Sequence, residues 1–331
     1  MAASLASAID DVFGGEPETV GVKNWLDTGY PPLNKILSAS YKGGLPSGRI
    51  IEIFGSESSG KTAIATAVMA AAQRQGGCAL FMDHERSFMK DIAEQNGLNL
   101  TKGRFSLQYP DTFEQSITLA CKWMQFVRDN KLIPVTAPLV VVFDSLASMV
   151  PQSKLAKEID EQGMNDSLAL SKACSAVFST LSLLAERYDT CCIFLNQTRE
   201  KPGVMFGDPT TTPGGKAPKF YASIRIQVSR TMIKKDGEVV GQTVKCQTLK
   251  NKVNRPFQNC EWEFLFNDDG TGYFDVVGGV IDHLCEKGVI KKAGAYIEWT
   301  DGKKYHKGKL VELIRKETTL KDELFKLLPE D

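Results

Sequence analysis

The chain has 331 residues, of which 42% are hydrophobic and 24% are charged, as in an ordinary globular protein with a sizeable core. Lysine plus arginine equals aspartate plus glutamate at 40 each, so a nucleic-acid surface would have to come from a local cluster of basic residues. The eight cysteines contain no C-x-x-C pair and there are three histidines, which argues against a zinc site and favours reduced, buried thiols.

The first 24 residues are expected to lie outside the main domain. Their stretch SLASAIDDVFG has apolar residues at helical spacing, which suits either a frayed terminus or a short helix that docks on a neighbouring subunit. The segment has no basic n-region, so we do not expect a signal peptide. No apolar run reaches the roughly 18 residues that a membrane helix needs, and we expect a cytoplasmic protein without a membrane partner.

Between residues 49 and 197, strand-like runs alternate with helix-like runs. The strand-like runs are RIIEIF, CALFM, PLVVVF and CCIFLNQ, and the helix-like runs span residues 60–75, 88–96, 112–128 and 167–187. Near-continuous apolar strands that alternate with helices are typical of a parallel sheet with both faces covered. The sequence therefore predicts an α/β core.

The pattern changes after Gly215. The runs YASIRIQVSR, TVKCQTLK and EWEFLF are joined by turns and predict antiparallel strands that extend the sheet. A helix over 276–287, a hairpin around TDGKK and one or two final helices then predict a small α+β domain. The expected parts are an N-terminal segment (1–24), a core (25–273) and a C-terminal domain (274–331).

The run GSESSGKT fits G-x-x-x-x-G-K-[ST] and stands between a strand and a helix. In that context the loop N–H groups and the helix dipole face a phosphate chain, so a nucleotide is the expected ligand. Lys61 should reach the β- and γ-phosphates, and the Thr62 hydroxyl should hold Mg²⁺. The predicted nucleotide-binding residues are Gly55, Ser56, Glu57, Ser58, Ser59, Gly60, Lys61 and Thr62.

Three more polar residues follow apolar strands, at the sheet edge where ligands of such folds bind. Asp144 ends PLVVVFD and is the predicted Walker B acid, which would act on the Mg²⁺ shell. Glu85 closely follows CALFM and is the candidate base, since a carboxylate can orient water. Asp83 and His84 beside it are interpreted as turn or network residues. Gln197 ends CCIFLNQ and is the predicted γ-phosphate sensor.

A glycine- and proline-rich loop with five basic residues follows the sensor, over residues 198–225. A loop of about 20 residues inside a compact domain is usually functional. Its basic residues, hydroxyls and glycine N–H groups suit a phosphodiester backbone, and its Met-Phe pair could stack between bases. A solvated lid over the nucleotide is the alternative. The candidate DNA-binding residues are Arg199, Met205, Phe206, Gly207, Thr210, Thr211, Thr212, Gly214, Gly215 and Lys216.

Taken together, these motifs resemble one family. The stretches EIFGSESSGKT, VVVFDS, GVMFGDPTTTPGGKAPKFYASIR and LKNKVNRPF resemble the bacterial RecA recombinases and their phage relatives, over about residues 24–300 and in the family's order. The resemblance implies a RecA-like P-loop NTPase core in which Glu85, Asp144 and Gln197 have the roles given above. It also implies that Lys250 and Lys252 act catalytically on ATP bound by the adjacent subunit.

Further positions follow from the same resemblance. It implies that Lys219 and Phe220 form an interface pair, and that Met164 belongs to a first DNA-binding loop. Ile92 stands where the family has an aromatic residue on adenine, which suits a divergent or phage-encoded member. The lysine-rich C-terminal domain is interpreted as a gateway for duplex DNA, or else as a solvated charged face.

The function that the resemblance implies is that of an ATP-dependent recombinase. Such a protein forms helical filaments on single-stranded DNA, pairs it with homologous double-stranded DNA and exchanges strands, with DNA-stimulated ATP hydrolysis. One alternative is a ring-forming motor, a helicase or loader, which should show an arginine finger and a collar domain. Another is a non-catalytic DNA-coating filament, which the intact Lys61, Glu85, Asp144 and Gln197 disfavour.

Overall fold

The computed structural model describes residues 21–162, 168–200, 210–269 and 271–330. The strands are β1 (Trp25–Leu26), β2 (Leu45–Pro46), β3 (Ile50–Gly55), β4 (Cys78–Asp83), β5 (Phe105–Gln108), β6 (Leu139–Asp144), β7 (Thr190–Gln197), β8 (Arg199–Glu200), β9 (Thr210–Thr211), β10 (Ile224–Lys235), β11 (Glu238–Asn251), β12 (Asn259–Phe266), β13 (Gly272–Phe274), β14 (Lys291–Ala293), β15 (Tyr296–Glu298) and β16 (Lys304–His306). The helices are α1 (Pro31–Ser38), α2 (Lys61–Arg74), α3 (Lys90–Gln95), α4 (Phe113–Asp129), α5 (Gln152–Leu155), α6 (Ala169–Arg187), α7 (Ala217–Tyr221), α8 (Val276–Glu286), α9 (Lys307–Lys316) and α10 (Thr318–Lys326).

A nine-stranded sheet in the order β13-β12-β11-β10-β3-β7-β6-β4-β5 forms the centre of the molecule. The strands from β10 to β5 in this order are parallel to their neighbours, and β11, β12 and β13 continue the sheet antiparallel. This arrangement confirms the predicted α/β fold, with a mainly parallel sheet extended by antiparallel strands. The sheet places the C-terminal ends of the parallel strands β3, β4, β6 and β7 at one edge.

Burial on both faces explains why the central strands are apolar throughout. Every residue of β3, β4 and β6 is buried, as expected for parallel strands between two helical layers. Buried side chains of α1, α2 and α8, such as Leu33, Val68 and Ile281, share one hydrophobic cluster. Side chains of α4 and α6, such as Ile117 and Phe178, form the other.

The predicted run YASIRIQVSR begins differently in the structure. Its first residue ends the short helix α7, and β10 starts at Ile224. The helix begins with Ala-Pro, and proline is well tolerated in the first turn of a helix, where its missing N–H has no helical partner. The hairpin around TDGKK is confirmed as β15 and β16, and β14 adds a third strand to it.

The C-terminal segment packs directly on the core. Val280 and Leu284 of α8 belong to the same hydrophobic cluster as Leu26 and Trp262. An ion pair of 2.9 Å joins Arg315 Nη2 of α9 to the carboxylate of Asp275, which also caps α8 through the Gly278 N–H. None of the helices in the described part of the chain is long and apolar enough to cross a membrane.

Candidate functional site

The loop after β3 has the geometry of a phosphate cradle. Gly55 lies so close to β10 that a Cβ there would be 1.9 Å from the carbonyl oxygen of Val228. Ser58 and Gly60 have positive φ angles of 53° and 93°, and α2 begins at Lys61. The loop therefore wraps the N-terminus of α2, where free N–H groups and the helix dipole favour an anion.

Lys61 is folded back onto this loop. Its Nζ donates to the carbonyl oxygens of Ser56, at 2.6 Å, and Gly55, at 3.3 Å. Burial lowers the pKa of Lys61, and the nearby carboxylates of Asp144 and Glu85 oppose this shift. An incoming phosphate would replace two carbonyl acceptors by a charged one, which strengthens the hydrogen bonds of the ammonium group.

Thr62 and Asp144 meet where Mg²⁺ is predicted. Thr62 Oγ1 donates to Asp144 Oδ2 over 2.9 Å. Burial, and then the charge of Glu85, raises the pKa of Asp144 to about 7, while the hydrogen bond from Thr62 lowers it. A buried carboxylate beside a hydroxyl suits a hard cation that takes oxygen ligands. Among the described residues no cluster of three His, Cys, Asp or Glu could hold a metal alone, so phosphate and water oxygens would complete the shell.

Glu85 and Gln197 are brought together although 112 residues separate them. Gln197 Nε2 donates to Glu85 Oε1 over 3.2 Å. The same oxygen accepts from Ser148 Oγ at 3.1 Å and from Ser145 Oγ. The sequence marks these two serines only as a pair of hydroxyl residues shortly after Asp144, which does not predict a contact with Glu85.

Asp83, the last residue of β4, and His84, the residue before Glu85, have structural roles. Asp83 accepts from the backbone N–H groups of Glu85, Ser87 and Phe88 at 3.1–3.3 Å. His84 Nε2 lies 2.8 Å from Ser116 Oγ, and burial lowers the pKa of His84 to about 4. These contacts agree with the interpretation of Asp83 and His84 as turn and network residues.

A cavity of about 560 Å³ adjoins the loop, Asp144, Glu85 and Gln197. Ile92 lines one part of it, and Phe264 and Phe266 of β12 line another. Gln242 of β11, which is buried, donates to the Ser58 carbonyl over 3.0 Å. The phenylalanines and Gln242 could not be found from the motifs, because only the pairing of the sheet brings them to the loop.

The far end of the basic loop packs against β7, the strand that ends in Gln197. Asn196 Nδ2 donates to the Pro213 carbonyl over 3.1 Å and to Glu52 Oε1 over 2.9 Å. Glu52 is buried and pairs with Arg225 at 2.6 Å. Arg225 also lies over the ring of Phe54. The residue next to Gln197 thus connects the strand before the phosphate loop with the end of the basic loop.

The predicted DNA-binding residues fall into different places. Thr212 and Gly214 are buried in the stem of the loop, whereas Arg199 and Lys216 are exposed. Strands β8 and β9 pair Arg199 with Thr211 and residue 200 with Thr210. A Cβ on Gly215 would meet Ser171 of α6 at 2.8 Å. Met164, Met205, Phe206 and Gly207 lie outside the described residues, as do residues 1–20.

Lys250 and the predicted interface pair are in contact. Lys250 Nζ donates to the carbonyl oxygens of Lys219, at 2.8 Å, and Phe220, at 2.7 Å. Burial, and then Lys252 and Arg225, lowers the pKa of Lys250 to about 8. Phe220 is 69% exposed, and Lys252 is exposed beside this cluster. No member of the cluster lines the nucleotide cavity within the described part of the chain.

Comparison with known proteins agrees with these features. The family model described as the RecA N-terminal domain matches residues 16–271. "Protein RecA" of Ruminococcus albus is 38% identical over 262 residues, which cover 79% of this chain and 61% of that relative. "Protein RecA" of Chlamydia trachomatis is 38% identical over 286 residues, 86% of this chain and 75% of the relative. That of Bacteroides thetaiotaomicron is 38% identical over 280 residues, 84% of this chain and 78% of the relative. The chain belongs to the RecA family.

Proposed function

We propose that this protein is an ATP-dependent recombinase. It assembles as a helical filament on single-stranded DNA, pairs that strand with homologous duplex DNA and exchanges strands. The observation that carries the proposal is the contact between Glu85 and Gln197, which joins the candidate base to the strand that leads into the basic loop. The family membership supports the same activity.

The nucleotide site is proposed to bind ATP with Mg²⁺. The N–H groups of residues 55–62 hold the phosphates, Lys61 neutralises the β- and γ-phosphates, and Thr62 and Asp144 hold the cation. Mg²⁺, when bound, neutralises the charge that develops on the phosphate oxygens. Glu85 orients a water molecule toward the γ-phosphate, and Gln197 donates to that phosphate.

Coupling to DNA is proposed to run through the sensor strand. When Gln197 turns from Glu85 to a γ-phosphate, the backbone after it has to follow, and that backbone enters the basic loop at β8. Asn196 holds the other end of the loop through Pro213. Loss of the γ-phosphate then lets Gln197 return to Glu85 and moves the start of the loop back, which lets hydrolysis drive dissociation from DNA.

The DNA surface is proposed to comprise Arg199 and Lys216 with the loop between them, including Met205, Phe206, Gly207, Thr210 and Thr211, and the first loop with Met164. Backbone phosphates and stacked bases are sequence-independent partners, so homology is read by base pairing and not by protein side chains.

We further propose that Lys219, Phe220, Lys250 and Lys252 form the face that meets the nucleotide of a neighbouring protomer. The basic C-terminal domain would then attract the duplex.

A strand-exchange assay tests this function. The wild-type protein with ATP and Mg²⁺ should convert a circular single strand and a homologous linear duplex into nicked circular duplex. Lys61→Ala should abolish the product, because the phosphates lose their main cation, while circular dichroism and thermal unfolding stay close to wild type. No product from wild type under conditions of saturating DNA coverage would overturn the proposal.

Electron microscopy separates a recombinase from a motor on the same fold. With a slowly hydrolysed ATP analogue and single-stranded DNA, we expect open helical filaments that lengthen with the DNA. Closed rings of fixed size would favour a helicase or loader instead. Arrays that form equally well on DNA with Lys61→Ala would indicate a DNA-coating protein without a nucleotide switch.

A further inference from the structure

The hydroxyl group of Ser148 contacts the carboxylate of Glu85, the residue proposed above to orient the attacking water. Ser148 Oγ donates to Glu85 Oε1 over 3.1 Å. Ser145 donates to the same oxygen, and Gln197 Nε2 donates to it over 3.2 Å. Donors from the ends of two different strands therefore converge on a single carboxylate oxygen.

The local backbone explains why two serines meet there. Leu146–Ser148 form one turn of 3-10 helix directly after β6, and residues i and i+3 are eclipsed in such a turn. The Ser148 N–H donates to the Ser145 carbonyl over 3.0 Å, and the two hydroxyl oxygens are 3.2 Å apart. The sequence Asp-Ser-Leu-Ala-Ser thus places a second hydroxyl on Glu85 in addition to the one next to the Walker B acid.

An oxygen with these donors has little capacity left for a water molecule. Each carboxylate oxygen has two lone pairs, and three donors share those of Glu85 Oε1, so they hold the carboxylate in one orientation. Glu85 has to lose donors before its side chain can turn and present either oxygen to an attacking water molecule. Movement of Gln197 toward a γ-phosphate removes one donor, but the two serines remain. Ser148 is therefore an additional restraint that the DNA-bound state has to release.

We propose that Ser148 is a positioning residue that restrains Glu85 while no DNA is bound, and so keeps ATP hydrolysis dependent on DNA. This inference rests on the proposed function. Ser148 lies outside the set of described residues that line the nucleotide cavity, so its effect should appear in kcat and not in the KM for ATP. Because the side chain is only half-buried, its removal should not disturb the fold.

The test is steady-state ATP turnover of Ser148→Ala with and without single-stranded DNA. We expect the DNA-independent kcat to rise roughly five- to tenfold, the size of one hydrogen bond to a charged group at a partly exposed position. The DNA-stimulated kcat and the KM for ATP should stay close to wild type, so the stimulation ratio falls. Ser148→Thr keeps the hydroxyl and should restore the wild-type ratio.

A second readout needs no nucleotide. In the nucleotide-free protein, the side-chain amide NMR signal of Gln197 should shift in Ser148→Ala, because Gln197 loses a competitor for Glu85 Oε1. Ser179→Ala, at an exposed serine of α6, is the matched control and should change neither the signal nor the stimulation ratio.

Two results would overturn the inference. One is an unchanged stimulation ratio in Ser148→Ala; the other is an equal fall in turnover with and without DNA, which would mean that Ser148 only supports the fold or holds Glu85 in its active position. Wild-type turnover that is itself independent of DNA would instead contradict the proposed function, so the two failures are distinguishable.

Discussion

Burial of the Asp144 carboxylate lowers the free energy of unfolding when no cation is bound to it. Its side chain is 5% exposed, and burial raises its pKa from 3.8 to about 7. The folded state therefore retains a proton that the unfolded state releases, and the free energy of unfolding falls as the pH rises from about 4 to about 7. The carboxylate proposed to hold Mg²⁺ is thus unfavourable for the stability of the nucleotide-free protein at neutral pH.

Asp144→Asn should therefore stabilise the nucleotide-free protein at pH 8 while it abolishes Mg²⁺-dependent ATP turnover. We expect a gain of roughly 1–3 kcal/mol in the free energy of unfolding, since one pKa unit corresponds to about 1.4 kcal/mol and part of the shift relaxes. Urea denaturation at pH 8 and at pH 4 measures this gain, which should vanish at the lower pH. Asp322→Asn, at an exposed acid of α10, is the control, and lower stability of Asp144→Asn at pH 8 would contradict the account.

Lys250 provides a second prediction at this scale. Since its pKa is lowered to about 8, the ammonium form is lost as the pH rises through that value, and with it the proposed attraction to a neighbour's triphosphate. ATP-dependent assembly, followed by light scattering, should weaken between pH 7 and pH 9. Lys250→Arg keeps its charge over this range and should lose the pH dependence. Equal pH profiles for the two proteins would exclude this role of Lys250.

At the level of elements, the close pairing of β3 with β10 requires a glycine, which has no Cβ, at position 55. A Cβ on Gly55 would overlap the carbonyl oxygen of Val228 at 1.9 Å, and backbone atoms of a paired strand cannot move aside cheaply. Gly308, in the first turn of α9, is the opposite case, because a Cβ there would find its nearest neighbour, in His306, at an ordinary 3.7 Å.

Gly55→Ala should consequently destabilise the fold by about 2 kcal/mol or more, as overpacking of a tight site does, and should weaken ATP binding. Gly308→Ala should instead stabilise the protein by about 0.5–1 kcal/mol, since alanine is the better helix residue. Chemical denaturation of both variants gives the comparison. A Gly55→Ala protein as stable as wild type would show that β3 and β10 can separate without loss.

The sequence predicts elements well where a local pattern determines them. The hydrophobic pattern and the glycine spacing predict the buried runs of β3, β4 and β6 and the phosphate loop, because both signals are contiguous in the chain. No local pattern predicts the roles of Ser148, Gln242 and the β12 phenylalanines, since their contacts arise only when distant strands pair. The run YASIRIQVSR begins three residues before β10, because its first residue belongs to the short helix α7, which the local pattern does not reveal.

At the scale of the whole molecule, the proposed ATP site and the face around Lys250 that is proposed to meet a neighbour's nucleotide lie on different parts of one protomer. Glu52, Asn196 and Arg225 form a buried network between them, and Lys250 is held by the carbonyl oxygens at the end of α7. In this arrangement a single protomer therefore does not bring Lys250 to its own cavity. The proposed assembly would complete the site, so filament formation and ATP binding would be linked equilibria.

Subunit mixing tests this central claim most directly. Lys61→Ala should lack a working phosphate site but should still present Lys250 and Lys252 to a neighbouring protomer. A Lys250→Ala/Lys252→Ala protein should keep the phosphate site and lack the two lysines that reach the neighbour's ATP. Measured with single-stranded DNA, each variant alone should show almost no ATP turnover, and an equal mixture should recover a measurable part of the wild-type rate. A mixture as inactive as its two components would contradict a site shared between protomers.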